Sequence, residues 1–328
     1  MTNPGDIVTS VEISTGARLH FGLLASGAKT GRRHGGAGLM VQNPGWTIRV
    51  AVSACDELDC PNDVRLRIIS TLARCRAVWP RREQPPPVRI EIVAAVPQHV
   101  GLGAGTQLEL ALVAAWMTLR TGLRRPAVEC AFRAGRGLRS ALGIHGFERG
   151  GFLVEGGKYD DASVSPLVAR AEFPEDWRLV LVRPAEVAGL SGEQEDRVFL
   201  RLRPMPRTTT EALCRNLVMD WLPAIVEADF ARCSAALYAY GQTVGKYFAP
   251  VQGGVFADAL MRRLAGQLRR AGVEGLGQSS WGPTLCILCE SPRSAKQLVA
   301  DFSNQVRFEN CVWTIAAPRN CGATINTG

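Results

Sequence analysis

The chain has 328 residues, 46% of them hydrophobic and 21% charged, which suits a soluble globular protein of two domains or one large one. Its 38 basic and 30 acidic residues give a formal charge of +8, which suits an anionic small molecule as well as nucleic acid; no aromatic-interleaved basic patch or known motif points to nucleic acid. No apolar run reaches membrane-spanning length, residues 1–10 lack a basic-then-apolar leader, and the 10 cysteines show no framework, so a cytoplasmic protein with reduced thiols is expected.

Residues 7–13 read as a strand. They lead into residues 17–24, where Arg18, His20 and Gly22 share one side if the chain is extended. Arg18 can bind phosphate or carboxylate and His20 can donate a hydrogen bond, or both can be structural. Residues 29–38, with Arg32, Arg33 and His34 among glycines, read as a loop, either a substrate flap or a solvated turn. A strand over 46–52, a helix over 64–77 and a proline-rich connection over 80–87 follow.

The most informative stretch comes next. Val88, Ile90 and Ile92 alternate with Arg89 and Glu91 as a half-buried strand, and residues 108–120 form an apolar helix stopped by Thr121 and Gly122. Between them lie Gly101, Leu102, Gly103, Ala104, Gly105, Thr106 and Gln107. Unpaired N–H groups and the positive end of the macrodipole converge at a helix start, and glycines let an anion approach the backbone, so this is a candidate phosphate cradle. Glycines serve ligand-free turns equally well, and the run lacks the Lys and spacing of a Walker loop. Glu109 can hold a divalent cation or simply complement the helix dipole.

A helix over 127–138 follows, with Arg133, Arg136 and Arg139 at three-residue spacing. That spacing reads as a solvated face, from which Arg139 is set apart because it adjoins a glycine-rich loop over 140–151 carrying His145. After a strand over 152–154, the mixed polar stretch 159–174 is the expected boundary, dividing the chain into 1–165 and 166–328. Strands over 178–183, 284–289 and 311–316, helices between 210 and 270 and over 292–302, and a turn over 272–277 suggest a split β-α-β sandwich in the second half. Cys286 and Cys289, three apart on a strand, point to opposite faces and cannot readily share a metal.

Pro97 followed by Gly101-Leu102-Gly103-Ala104-Gly105-Thr106 resembles the second signature of the GHMP superfamily of small-molecule kinases. Three further blocks, 18–23, 146–152 and Gly277-Gln278-Ser279-Ser280-Trp281-Gly282-Pro283-Thr284, narrow the resemblance to the β-ribofuranosylaminobenzene 5′-phosphate synthase family. The resemblance implies a two-domain α+β GHMP-kinase-like fold, an N-terminal mixed domain plus a C-terminal ferredoxin-like sandwich, usually in a homodimer. It implies condensation of 5-phosphoribosyl 1-diphosphate with 4-aminobenzoate, losing diphosphate and carbon dioxide, in tetrahydromethanopterin biosynthesis. Under that reading Gly101 to Thr106 and Gln107 cradle diphosphate, and Mg²⁺ sits beside Glu109 and Thr106. Arg18 or Arg139 clamps carboxylate or 5-phosphate, His20 and His145 donate hydrogen bonds, and Ser279, Ser280 and Trp281 close over the cleft. Trp281 can stack on the ring or belong to the core. Superfamily kinases often carry an Asp where Ile144 and His145 stand here, and without that base an alcohol is hard to deprotonate. An ATP-dependent kinase and a non-catalytic anion-binding protein of the same fold are the alternatives.

Overall fold

The computed structural model describes residues 8–27, 31–80, 84, 86–137, 139–160, 163–186, 189 and 193–328. Residues 7, 29 and 30, half of the 80–87 connection, Leu138, and residues 161 and 162 of the expected boundary lie outside that set. Two long strands, β1 (Ser10–Ala25) and β2 (His34–Val52), pair antiparallel as the spine of the first sheet. At the start of β1, Val11 and Ile13 are buried between half-exposed Ser10, Glu12 and Ser14; beyond Gly16 both faces are covered. The expected loop at 29–38 is in part strand, because residues 34–38 belong to β2. Their glycines allow close strand contact, since a Cβ on Gly36 would lie 2.6 Å from the Gly22 carbonyl oxygen and one on Gly38 2.5 Å from that of Leu19.

β3 (Glu57–Asp59), α1 (Asn62–Val78) and β4 (Val88–Ala94) follow, with β3 parallel to β4. Next come α2 (Ala104–Thr121), α3 (Ala127–Ala134), α4 (Leu142–Arg149), β5 (Phe152–Glu155) and β6 (Leu167–Ala171). Almost every side chain of α2 is buried, as its all-round apolarity requires. α3 stops early because Gly135 takes the left-handed conformation at its end. α4 occupies the expected loop 140–151. Its start is tied down by the Glu155 carboxylate, which accepts from the Ser140 hydroxyl (2.6 Å) and the Ala141 N–H (2.7 Å), while Leu142, Ile144 and Phe147 bury its apolar face.

The second half contains β7 (Arg178–Pro184), α5 (Glu193–Arg201), α6 (Arg207–Arg215), a π-helical segment Asn216–Trp221 and α7 (Leu222–Val226). It continues with α8 (Phe230–Gln252), α9 (Ala259–Arg270), β8 (Leu276–Gln278), β9 (Leu285–Cys289), α10 (Pro292–Ser303), β10 (Cys311–Ala316) and β11 (Thr324–Thr327). Among the described residues the first sheet runs β11-β1-β2-β4-β3, with β5 paired to β2 and β6 to β5. It therefore includes Leu167–Ala171 and Thr324–Thr327, both beyond the expected division at 165/166.

The second sheet runs β10-β7-β9-β8, all antiparallel, with helices between β7 and β8 and between β9 and β10: the expected split β-α-β pattern. Leu179, Leu181 and Cys286 join the main core, whereas Val180, Val182 and Cys289 pack with Met261 and Leu264 of α9 and Ala295 of α10. The two cysteines thus point to opposite faces, as their spacing requires. Ser291 caps α10 and Pro292 is its first residue.

Candidate active site

A cleft of about 590 Å³ opens at the start of α2, lined by Arg18, His20 and Gly22 of β1, residues 101–106, Arg139 and the Ser280–Trp281 pair, among others. Gly103 caps α2 at φ 66° and Gly101 has φ 85°, conformations that side-chain-bearing residues rarely adopt. A Cβ on Gly101 would sit 2.4 Å from the Ser279 carbonyl oxygen, and one on Gly103 3.0 Å from Arg18 Nε. The loop is held from two sides. The Trp46 indole donates to the Ala104 carbonyl (3.1 Å), and the Arg18 N–H donates to that of Leu102 (2.9 Å).

The remaining supports come from the second half. The buried Ser279 hydroxyl donates to the Gly101 carbonyl (2.6 Å) and accepts the His20 N–H (3.0 Å), while the Thr284 hydroxyl donates to the Val100 carbonyl (2.6 Å). The Ser280 N–H donates to the His20 carbonyl (2.7 Å). Ser279 therefore acts as a strap fixing the glycine loop against β1, and Ser280 and Trp281, not Ser279, line the cleft. Trp281 is packed in an aromatic cluster and also reaches the cleft wall. It meets Phe248 and Phe199 edge-on, with centroids 4.7 and 5.3 Å away, and its 8% exposure lies in the cleft wall.

His20 is buried; desolvation first, and the neighbouring Arg18 second, hold its imidazole well below the ordinary 6.5. Its Nδ1 accepts the Gly22 N–H (3.1 Å), so Nε2 carries the proton of a neutral ring that can donate. His145 is elsewhere, outside the cleft lining, with Nε2 on the Ser165 carbonyl (2.8 Å). Gln107 is also outside the lining. It is buried, accepts from the Thr15 hydroxyl (2.7 Å) and donates to the Gly143 carbonyl (2.8 Å), bracing α2 on β1 and α4.

Two residues were expected on the metal side. Thr106 lines the cleft, but the buried Glu109 carboxylate is bound by three guanidiniums: Arg67 (3.1 Å), Arg74 (3.0 Å) and Arg136, whose Nε lies 2.7 Å away and whose Nη also contacts it. Among the described residues no three His, Cys, Asp or Glu side chains come together, and the cleft lining contains no carboxylate. The described side chains do not form an Mg²⁺ donor set, which calls for several hard oxygens.

Several lining residues carry no sequence signal. Arg67 reaches the cleft from α1, and Arg136, which reads as solvated, follows the early end of α3. Phe199, Val244 and Phe248 add an aromatic and aliphatic wall from α5 and α8. α8 approaches closely because Gly22 has no side chain: a Cβ there would fall 2.4 Å from a Val244 methyl. Arg139 lies over the Phe199 ring (5.2 Å), joining the basic wall to the aromatic one.

No protein-family model matches the sequence. The chain is similar to the β-ribofuranosylphenol 5′-phosphate synthase of Methanothermobacter thermautotrophicus, 29% identical over 97% of this chain and 99% of the relative. The proteins of the same name from Archaeoglobus fulgidus and Methanocaldococcus jannaschii are 28% and 27% identical over 96% and 90% of the chain, and 99% and 92% of their own lengths. Among solved structures it resembles homoserine kinase from Cytophaga hutchinsonii (TM-score 0.67, 14% identical, 99% of this chain and 100% of that one). It also resembles mevalonate diphosphate decarboxylase from Enterococcus faecalis (TM-score 0.66, 14% identical, 98% and 100%). The chain has the GHMP-kinase fold and is related along its length to the β-ribofuranosylphenol 5′-phosphate synthases.

Proposed function

We propose that the protein is a synthase that joins 5-phosphoribosyl 1-diphosphate to a para-substituted benzoate, with loss of diphosphate and carbon dioxide. The observation that carries this reading is the division of the cleft. Arg18, Arg67, Arg136 and Arg139 line it with no carboxylate among the described residues of the lining, beside a wall of Phe199, Val244, Phe248 and Trp281. A polyanionic sugar and a flat aromatic ring need such a pair of surfaces.

In the reaction the ring carbon bearing the carboxylate attacks C1 of the ribose as the C1–O bond to diphosphate breaks. The electron pair of the ring–carboxylate bond then restores aromaticity as carbon dioxide departs, so no proton has to be removed. Cationic character on the sugar and negative charge on the leaving group both grow, and the helix start with its arginines is placed to stabilise the latter. Residues 101–106 receive the diphosphate, Arg18 and Arg139 the phosphate and carboxylate, and neutral His20 serves as a donor. That no carboxylate stands among the described residues of the cleft also disfavours the kinase alternative, since an alcohol acceptor needs a base; Ile144 is buried and His145 is turned to Ser165. Mg²⁺ enters this reading only as the counter-ion that diphosphate itself carries. A cytoplasmic homodimer belongs to the same reading, and its mass in solution would be twice that of the chain.

The acceptor is a benzoate with an electron-releasing group opposite the attacked carbon. 4-Aminobenzoate satisfies this, and the phenol in the relatives' name brings in 4-hydroxybenzoate. The test incubates the protein with phosphoribosyl diphosphate and each carboxyl-labelled benzoate, without ATP, and follows labelled carbon dioxide. Release from either supports the reading. No release, or product only with ATP and with ADP formed, overturns it. Binding of phosphoribosyl diphosphate without turnover would favour the non-catalytic alternative.

A further inference from the structure

Glu109 and its arginines are more elaborate than a helix-dipole contact requires. Glu109 lies on α2 one turn beyond Gly105 and is 2% exposed. Arg67 crosses from α1 directly over Gly105, where a Cβ would fall 2.6 Å from its Nη, and reaches Glu109 at 3.1 Å. Arg136 grips both carboxylate oxygens, through Nε (2.7 Å) and one Nη, and Arg74 adds a third guanidinium at 3.0 Å. Three cations around one carboxylate leave a local excess of two positive charges beside a helix N-terminus. Arg67 and Arg136 line the cleft, whereas Arg74 does not. A guanidinium carries five N–H donors, so after binding Glu109 both cleft arginines retain donors for an anion.

We infer that Arg67 and Arg136, braced on the buried carboxylate of Glu109, form a guanidinium clamp for the diphosphate, and that Glu109 acts as a positioning residue rather than a metal ligand. The identity of the anion rests on the function proposed above; the clamp itself rests on the geometry. Both Glu109 oxygens are within hydrogen-bond distance of arginine nitrogens. A divalent cation at the same oxygens would have to displace guanidiniums and add charge to a cluster already positive, which Coulomb repulsion opposes. A fixed carboxylate also orients two long side chains before the ligand arrives, reducing the entropy lost on binding.

The test is calorimetric binding of inorganic diphosphate to the full chain, first with EDTA and then with Mg²⁺. Wild type should bind in EDTA. Arg67→Gln and Arg136→Gln should each weaken binding roughly tenfold or more in both conditions, the loss of one charge-assisted contact. Glu109→Gln should weaken it alike with and without the metal; if that variant does not fold, the two arginine variants still decide. Wild-type affinity in both arginine variants would overturn the clamp. Binding by wild type that appears only with Mg²⁺, and is lost in Glu109→Gln, would make Glu109 the metal ligand instead. Arginine-dependent diphosphate binding in a protein that releases no carbon dioxide from either benzoate would refute the proposed reaction and leave the clamp intact.

Discussion

Gly105→Ala separates the clamp from the stability of the fold. Gly105 sits in the first turn of α2 and is absent from the residues with positive φ, so its backbone accepts alanine without strain. The added Cβ would meet Arg67 Nη at 2.6 Å and Cζ at 2.9 Å, and Arg67 must retreat by about 1 Å to restore ordinary contact. Taken along the line to Glu109, that retreat lengthens the 3.1 Å bond to about 4 Å, beyond useful hydrogen-bond range. Replacing glycine by alanine in a helix gains up to ~1 kcal/mol, and the part-exposed ion pair forfeits a similar amount, so Tm should scarcely move. Diphosphate binding should lose about 1.5–3 kcal/mol, roughly a tenfold to hundredfold rise in Kd. Calorimetry and a thermal melt on the same sample read both quantities. Wild-type Kd with wild-type Tm would show that Arg67 takes no part in anion binding.

Gly103→Val forces a branched residue into φ 66° and crowds Arg18, so turnover should collapse while circular dichroism still reports the native fold; wild-type rates would remove the helix start from the chemistry. Ser279→Ala leaves the Gly101 carbonyl and the His20 N–H without their buried partner, and should lower stability by about 1–3 kcal/mol in denaturant titration. His20 supplies a pH prediction. Its folded pKa is depressed, so below about 6.5 the unfolded chain takes up a proton that the folded one resists, and stability present above that pH is lost as it falls. Between about pH 7.5 and about pH 5.5 the Tm of wild type should therefore drop more than that of His20→Gln, and parallel curves would contradict the assignment.

What the sequence reveals about the site is what depends on neighbours along the chain. The glycine loop is visible because a strand, a tight turn and an apolar helix adjoin one another, and Arg18, His20 and Gly22 because strand alternation puts them on one side. They do line one cleft together, even across the register shift between His20 and Gly22. What depends on distant approach is hidden. Arg67 looks like any helix-surface arginine until α1 is laid across Gly105, and Phe199 and Phe248 become a wall only when α5 and α8 fold over β1. Polarity near the loop is a poor guide to contact with a ligand: Gln107 and Ser279 are buried braces, and Glu109 is committed to arginines 27 to 42 residues away. The loop expected over 140–151 fails as a reading because Glu155, met only after it, supplies the carboxylate that anchors the start of α4.

The strap from Ser279 and Thr284 to the backbone of residues 100 and 101 has a mechanical corollary. The two halves of the molecule cannot rock apart around the cleft without either rupturing those bonds or dragging the glycine turn along. Under the proposed reaction, an opening wide enough to let diphosphate leave would either break this strap or carry the turn away with the second half, so in the latter case release and loosening become a single event.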